Sequence, residues 1–174
     1  MMVNRSIDRR LIIGNALPLP VAQRAEPELK KSAIMLTFAS IGLVYTVMLI
    51  GVFLSNGPIH ERGIACTDWP LCPNGFGVPE ERYLFEYVHR VVAAVAASAV
   101  YATAIVVPSS IKKAKRAAVI AAIIVTAQVI IGYLTVITGL NPLVVASHLS
   151  TGITVFAFGL LTFWWTGIWK KYWH

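Results

Sequence analysis

Charge is what this sequence has least of. Only 13% of its 174 residues are Asp, Glu, Lys or Arg, while 57% are hydrophobic. A soluble domain of this size carries about 25% charged residues, roughly twice as many. The shortage is deepest in four apolar runs: Ala33 to Leu54, Tyr83 to Val107, Ala117 to Gly139 and Leu143 to Trp169. Each reaches the ~20 residues needed to cross a hydrocarbon core. Within them the acidic, basic or histidine side chains are Glu86, His89, Arg90 and His148 and no others. This scarcity excludes a soluble globular class. The expected fold is an all-α integral membrane four-helix bundle, residues 33–174, with spans at about 33–54, 83–107, 117–139 and 143–169. It is preceded by an N-terminal arm, residues 1–32.

Acidic residues are scarcer than basic ones, which leaves a formal charge of +7. That excess is not a nucleic-acid signature, because no soluble surface carries it as a basic face. Arg5, Arg9, Arg10, Arg24, Lys30 and Lys31 precede the first span. Lys112, Lys113, Lys115 and Arg116 join the second to the third, and Lys170 and Lys171 follow the fourth. In a four-span topology all of these fall on one side, opposite Arg62, Arg82, Glu61, Asp68, Glu80 and Glu81. The positive-inside rule then places both termini in the cytoplasm, in a cell membrane, with the long loop 55–82 outside. Trp164, Trp165, Trp169, Tyr172 and Trp173 would form an aromatic belt at the cytoplasmic interface. The arm lacks a cleavage pattern, so it is not a signal peptide. Its Pro18, Pro20 and Pro27 suggest a loosely ordered segment on the membrane surface.

Turn formers bound the helices. Ser55-Asn56-Gly57-Pro58 ends the first and Pro108-Ser109-Ser110 the second. Pro79 with Glu80 and Glu81 suits the first turn of the second helix. Asn141-Pro142, after Gly139, suits an N-cap followed by proline at the first helical position of the fourth.

Cysteine is nearly absent: Cys66 and Cys72 are the only two, both in the loop 55–82. Outside the cell they can form a bridge, which would contribute ~2–3 kcal/mol on the chain-entropy model. A structural and a redox role are both open. The Cys-x5-Cys spacing in a Trp-Pro turn speaks against a thiol–quinone oxidoreductase, which presents a tight Cys-x-x-Cys.

Histidine inside a span is uncommon and faces the bundle interior. His89 and His148 lie six and eight residues before the run centres at Val95 and Phe156, so ~9 Å and ~12 Å from the midplane. Two helices running in the same direction thus carry an imidazole at nearly one depth. They either hydrogen-bond helices together or hold an iron porphyrin edge-on between two axial ligands. Ala93, Ala96, Ala97, Gly152 and Gly159 would leave room for a flat macrocycle, or would let helices pack closely. Arg90 needs an anionic partner, either haem propionates or Glu86. Glu86 in turn is either a proton acceptor beside a haem or a first-turn acid. His60 lies in the loop and His174 on the opposite side from the pair.

The loop Cys66-Thr67-Asp68-Trp69-Pro70-Leu71-Cys72-Pro73-Asn74-Gly75, followed by Glu86-Tyr87-Val88-His89-Arg90, resembles haem A synthases. So do Gln128-Val129-Ile130-Ile131-Gly132-Tyr133-Leu134-Thr135-Val136 and His148-Leu149. The resemblance runs from about Ala33 onward. It implies oxidation of the C8 methyl group of haem O to a formyl group by successive hydroxylations with water as oxygen source, giving haem A for terminal oxidases. It further implies His89 and His148 as haem iron ligands, Arg90 in haem binding, Glu86 in catalysis and the cysteines in activity or haem transfer. Family members have two four-helix halves, one for the substrate haem and one for a haem b cofactor. One histidine pair cannot hold two haems in one chain. Either copies assemble as a homo-oligomer, with haem O synthase and terminal oxidase subunits as candidate further partners, or the chain binds one haem and does something simpler. The alternatives are a dihistidine cytochrome that transfers electrons without converting haem, and the thiol–quinone oxidoreductase.

Overall fold

The computed structural model describes residues 21–56, 66, 68–73 and 75–166. Arg5, Arg9, Arg10, His60, Glu61, Arg62, Trp169, Lys170, Lys171, Tyr172, Trp173 and His174 lie outside the described residues. Helix α1 runs Val21–Asn56. A short 3-10 turn, Glu81–Tyr83, leads into α2, Leu84–Val106, and α3 and α4 follow at Lys112–Ile137 and Pro142–Trp165. Among the described residues there is no strand, and all four helices are long and apolar enough to cross a membrane. Outward faces carry large apolar side chains, with Phe38 67%, Ile105 77% and Leu143 79% exposed. A water-soluble monomer avoids contiguous apolar surface on this scale, whereas lipid accommodates it.

The helices stand in a ring in chain order. Each packs on its sequence neighbour, and α1 also closes on α4. Thus α2 and α4 are diagonal, facing each other across the bundle axis. Val44, Ala96, Val100, Ala121, Val125 and Val155 form the central core. A second cluster, Ala33, Val107, Ala114 and Ala118, fills the end away from the cysteine loop. Small residues dominate because helix association in lipid relies on close packing and interhelical hydrogen bonds. One such bond joins Ser40 Oγ on α1 and Thr103 Oγ1 on α2 at 2.9 Å.

Helix limits differ from expectation at several points. The first helix begins at Val21 rather than near Ala33, because a helix that continues beyond the hydrocarbon leaves no apolar run to mark it. For the same reason α3 starts at Lys112, so the basic cluster forms its first turns instead of a connection. Cations at a helix N-terminus oppose its dipole. Lys115 turns this to use: its Nζ donates to the Ala104 and Ile105 carbonyls at 2.6 and 3.2 Å, at the C-terminal end of α2. Pro79 precedes the 3-10 turn and is not part of α2. Asn141 caps α4 as expected, its Oδ1 accepting from the Leu143 N–H at 3.0 Å with Pro142 at the first helical position. Gly139 and Leu140, both at φ 60°, form the reversal between α3 and α4.

Candidate haem site at the loop end of the bundle

His89 lies about one and a half turns into α2 and His148 about as far into α4, which brings both to the end of the bundle where the cysteine loop sits. They line one cleft, with Val47, Met48, Gly51 and Val52 of α1, Gln128 of α3, and Leu149, Gly152 and Ile153 of α4. The Nδ1 atoms of both rings are buried, and among the described residues neither has a hydrogen-bond partner. Burying a polar nitrogen without a partner costs ~1–3 kcal/mol. Two such atoms around one cleft therefore mark a place suited to binding rather than to fold stability.

The donor set fits a haem iron, since two imidazoles on diagonal helices can approach one metal from opposite sides. The cleft is about 90 Å³, room for several waters at ~10–15 Å³ each. A macrocycle needs more. The side chains that would have to swing aside are flexible: Met48 and Gln128 both lie against Gly152. Of the small residues expected beneath the ligands, Gly152 alone lines the cleft. Ala96 and Ala97 belong to the central core, and Gly159 faces Ile41. Close helix packing, the other reading of those residues, explains their place.

Gln128 was visible in the sequence only as one letter of a family-like stretch. Thr151 Oγ1 lies 2.6 Å from its Oε1 as a donor, which leaves the amide N–H groups as the end free to address the cleft. An amide within the apolar run of the third helix was the available signal.

The cysteine loop covers this end. Cys66 and Cys72 form a disulfide, with Cα atoms 5.0 Å apart, and both are buried. Glu86 and Arg90, one turn apart on α2, fasten it. Arg90 Nη2 donates to Glu86 Oε1 at 2.6 Å, and the Cys66 N–H donates to Glu86 Oε2 at 2.7 Å. Arg90 Nη1 donates to the Asp68 carbonyl at 2.6 Å, and Nη2 reaches the Cys66 carbonyl at 3.3 Å. The guanidinium also lies 5.2 Å from the Trp69 ring centre. Trp69 in turn packs on Tyr133 of α3, with 5.8 Å between ring centres. The arginine's anionic partner is thus Glu86, and the loop backbone supplies the rest of its hydrogen bonds.

The sequence pattern of cytochrome oxidase assembly proteins matches residues 77–172. The match takes in Glu86, His89, Arg90 and His148; α1 and the cysteines fall before it. A curated relative, a protohaem IX farnesyltransferase of Haloarcula marismortui, is 29% identical over 133 residues. That alignment covers 75% of this chain, which spans only 28% of the relative's length. No solved structure matches the chain. The family pattern extends over more than half of the sequence and includes the histidine-bearing starts of both diagonal helices, so this protein belongs to the cytochrome oxidase assembly protein family.

Proposed function

We propose that the protein is a haem A synthase of the cell membrane, oxidising the C8 methyl group of haem O to a formyl group. The observation that carries the reading is the pair of imidazoles, His89 and His148, on diagonal helices of one cleft, each with a buried Nδ1 that has no partner among the described residues. Membership of a cytochrome oxidase assembly family supports it. So does a relative named for acting on protohaem IX, because both point to haem chemistry. In balance, the methyl carbon takes the oxygen of one water and releases four electrons and four protons. A haem b cofactor would supply an iron able to accept electrons, with an external acceptor as their final oxidant.

The chain's own residues divide the work. His89 and His148 would hold the iron. The Glu86–Arg90 pair fastens the disulfide loop to the first turns of α2, at the end of the bundle where the cleft lies. Glu86 also lies one turn before His89, and its carboxylate would receive protons released at that end. Gln128 offers N–H donors to an oxygen-bearing ligand. The basic residues at the opposite helix ends support cytoplasmic termini and an external cysteine loop. One histidine pair serves one haem, so the second is held by another copy in a closed symmetric oligomer.

Ligation is tested by replacing each histidine. Wild-type protein loaded with haem is expected to be low-spin and six-coordinate, and His89→Ala and His148→Ala are each expected to lose or convert that signal. A low-spin spectrum retained in both variants rules out this ligand pair.

A further inference from the structure

We infer that Gly51 and Gly132 are positioning residues that fix the ring orientations of His89 and His148. The inference rests on the reading of these histidines as haem ligands. The two helix hairpins repeat one arrangement. In α1–α2, a Cβ placed on Gly51 would meet His89 Cε1 at 3.2 Å. In α3–α4, a Cβ on Gly132 would meet His148 Cε1 at 3.3 Å, with both ring nitrogens at 3.9 Å. Each imidazole is therefore seated on bare backbone of the first helix of its own hairpin.

Something must hold those rings. The χ2 torsion of histidine is broad and roughly two-fold, so the side chain does not orient its ring by itself. A metal-binding histidine is ordinarily steered by a hydrogen bond from its other ring nitrogen to a carboxylate, carbonyl or water. Here Nδ1 of both rings is buried and, among the described residues, has no such partner. His89 has one backbone hydrogen bond, with Val47 on α1. Beyond that, each ring is held by packing against helix backbone at its glycine, where a Cβ would meet Cε1 at 3.2 or 3.3 Å. Packed interiors tolerate little displacement, so a methyl group at either position turns or shifts the ring by a few tenths of an ångström.

The same structure supplies matched controls. Gly42, also on α1, has nothing within 4 Å of a would-be Cβ, and Gly159 on α4 would meet Ile41 Cγ1 at 3.2 Å. G159A therefore imposes the same crowding as G51A but on an aliphatic side chain. Alanine is favoured over glycine in a helix where space allows, so G42A is expected to be neutral or stabilising.

The experiment compares wild type, G51A, G132A, G42A and G159A as full-length chains in detergent. Ferric EPR is recorded after haem loading, and histidine 15N spectra and thermal midpoints are recorded without haem. G51A and G132A are expected to move the principal g values, or to create a high-spin fraction, and to shift the 15N resonances of the seated ring. G42A and G159A are expected to keep the wild-type signature even where G159A lowers the midpoint. Haem-loaded G51A and G132A with wild-type g values and 15N shifts would overturn the inference, leaving the glycines as packing residues. If either variant fails to fold, the other reads its own hairpin independently. Wild-type protein alone gives a further test, since a hydrogen-bonded Nδ1 on either ring in the 15N spectrum also overturns it. A wild type that takes up no haem defeats the proposed function instead, while the haem-free 15N comparison still decides the role of the glycines.

Discussion

Replacing Glu86 by glutamine is the sharpest perturbation of the loop clamp, because the shape is kept and only the acceptor set changes. Both groups facing the carboxylate are donors: Arg90 Nη2 at 2.6 Å and the Cys66 N–H at 2.7 Å. A glutamine offers one oxygen and one NH2, so whichever way it turns, one donor faces another donor. The Arg90 and Glu86 side chains are only 9% and 16% exposed, so water screens the loss weakly. Hydrogen bonds to charged groups are worth ~1.5–3 kcal/mol, and an unsatisfied buried donor costs ~1–3. With partial relaxation, loop attachment weakens by about 2–4 kcal/mol. At ~1.4 kcal/mol per tenfold, the lifted-loop population rises about 30- to 700-fold. The disulfide reports this directly, because Cys66 and Cys72 are 0% and 2% exposed and a reductant reaches them when the loop opens. Under limiting thiol, where the rate follows the open population, Glu86→Gln is expected to be reduced at least ~30-fold faster with helix content unchanged. A rate within about threefold of wild type refutes the clamp. Conversion assays then add the chemistry: a clamp alone predicts that Glu86→Gln and Arg90→Leu lose activity in parallel with loop opening. A further ~10²–10⁴-fold deficit confined to Glu86→Gln is the mark of proton transfer.

Cys66→Ala and Cys72→Ala should behave alike, each losing the ~2–3 kcal/mol that a bridge around so short a loop contributes; unequal haem loading at normal stability would instead indicate a direct part in haem handling. In mild detergent the active species should be a homo-oligomer by light scattering, and a fully active monodisperse monomer would rule out the assembly proposed here.

The membrane fold was legible because it depends on what lipid tolerates. Four runs with almost no charge admit few alternatives, and the Asn141-Pro142 start of α4 follows from capping chemistry that is local in sequence. Limits at Val21 and Lys112 escaped because polar helical turns beyond a span leave no apolar mark. The histidine pair could be found by matching depth on helices that run in the same direction. Its surroundings could not, because which small residue faces a ring depends on helix rotation. Ala96 and Ala97 went to the central core, while the positions that face the rings are Gly51 and Gly132, in helices distant in sequence. The role of Arg90 was half legible. Its pairing with Glu86 follows from helical spacing, whereas the Asp68 and Cys66 carbonyls come from a loop whose path no local rule specifies.

The most direct test of the central claim is the pigment extracted after purified wild-type protein is supplied with haem O, an electron acceptor and water as the oxygen source. The account predicts a formyl-bearing haem that carries oxygen from labelled water and is lost in His89→Ala and His148→Ala. Haem bound in a low-spin state but recovered chemically unchanged would contradict it and leave a dihistidine cytochrome in its place.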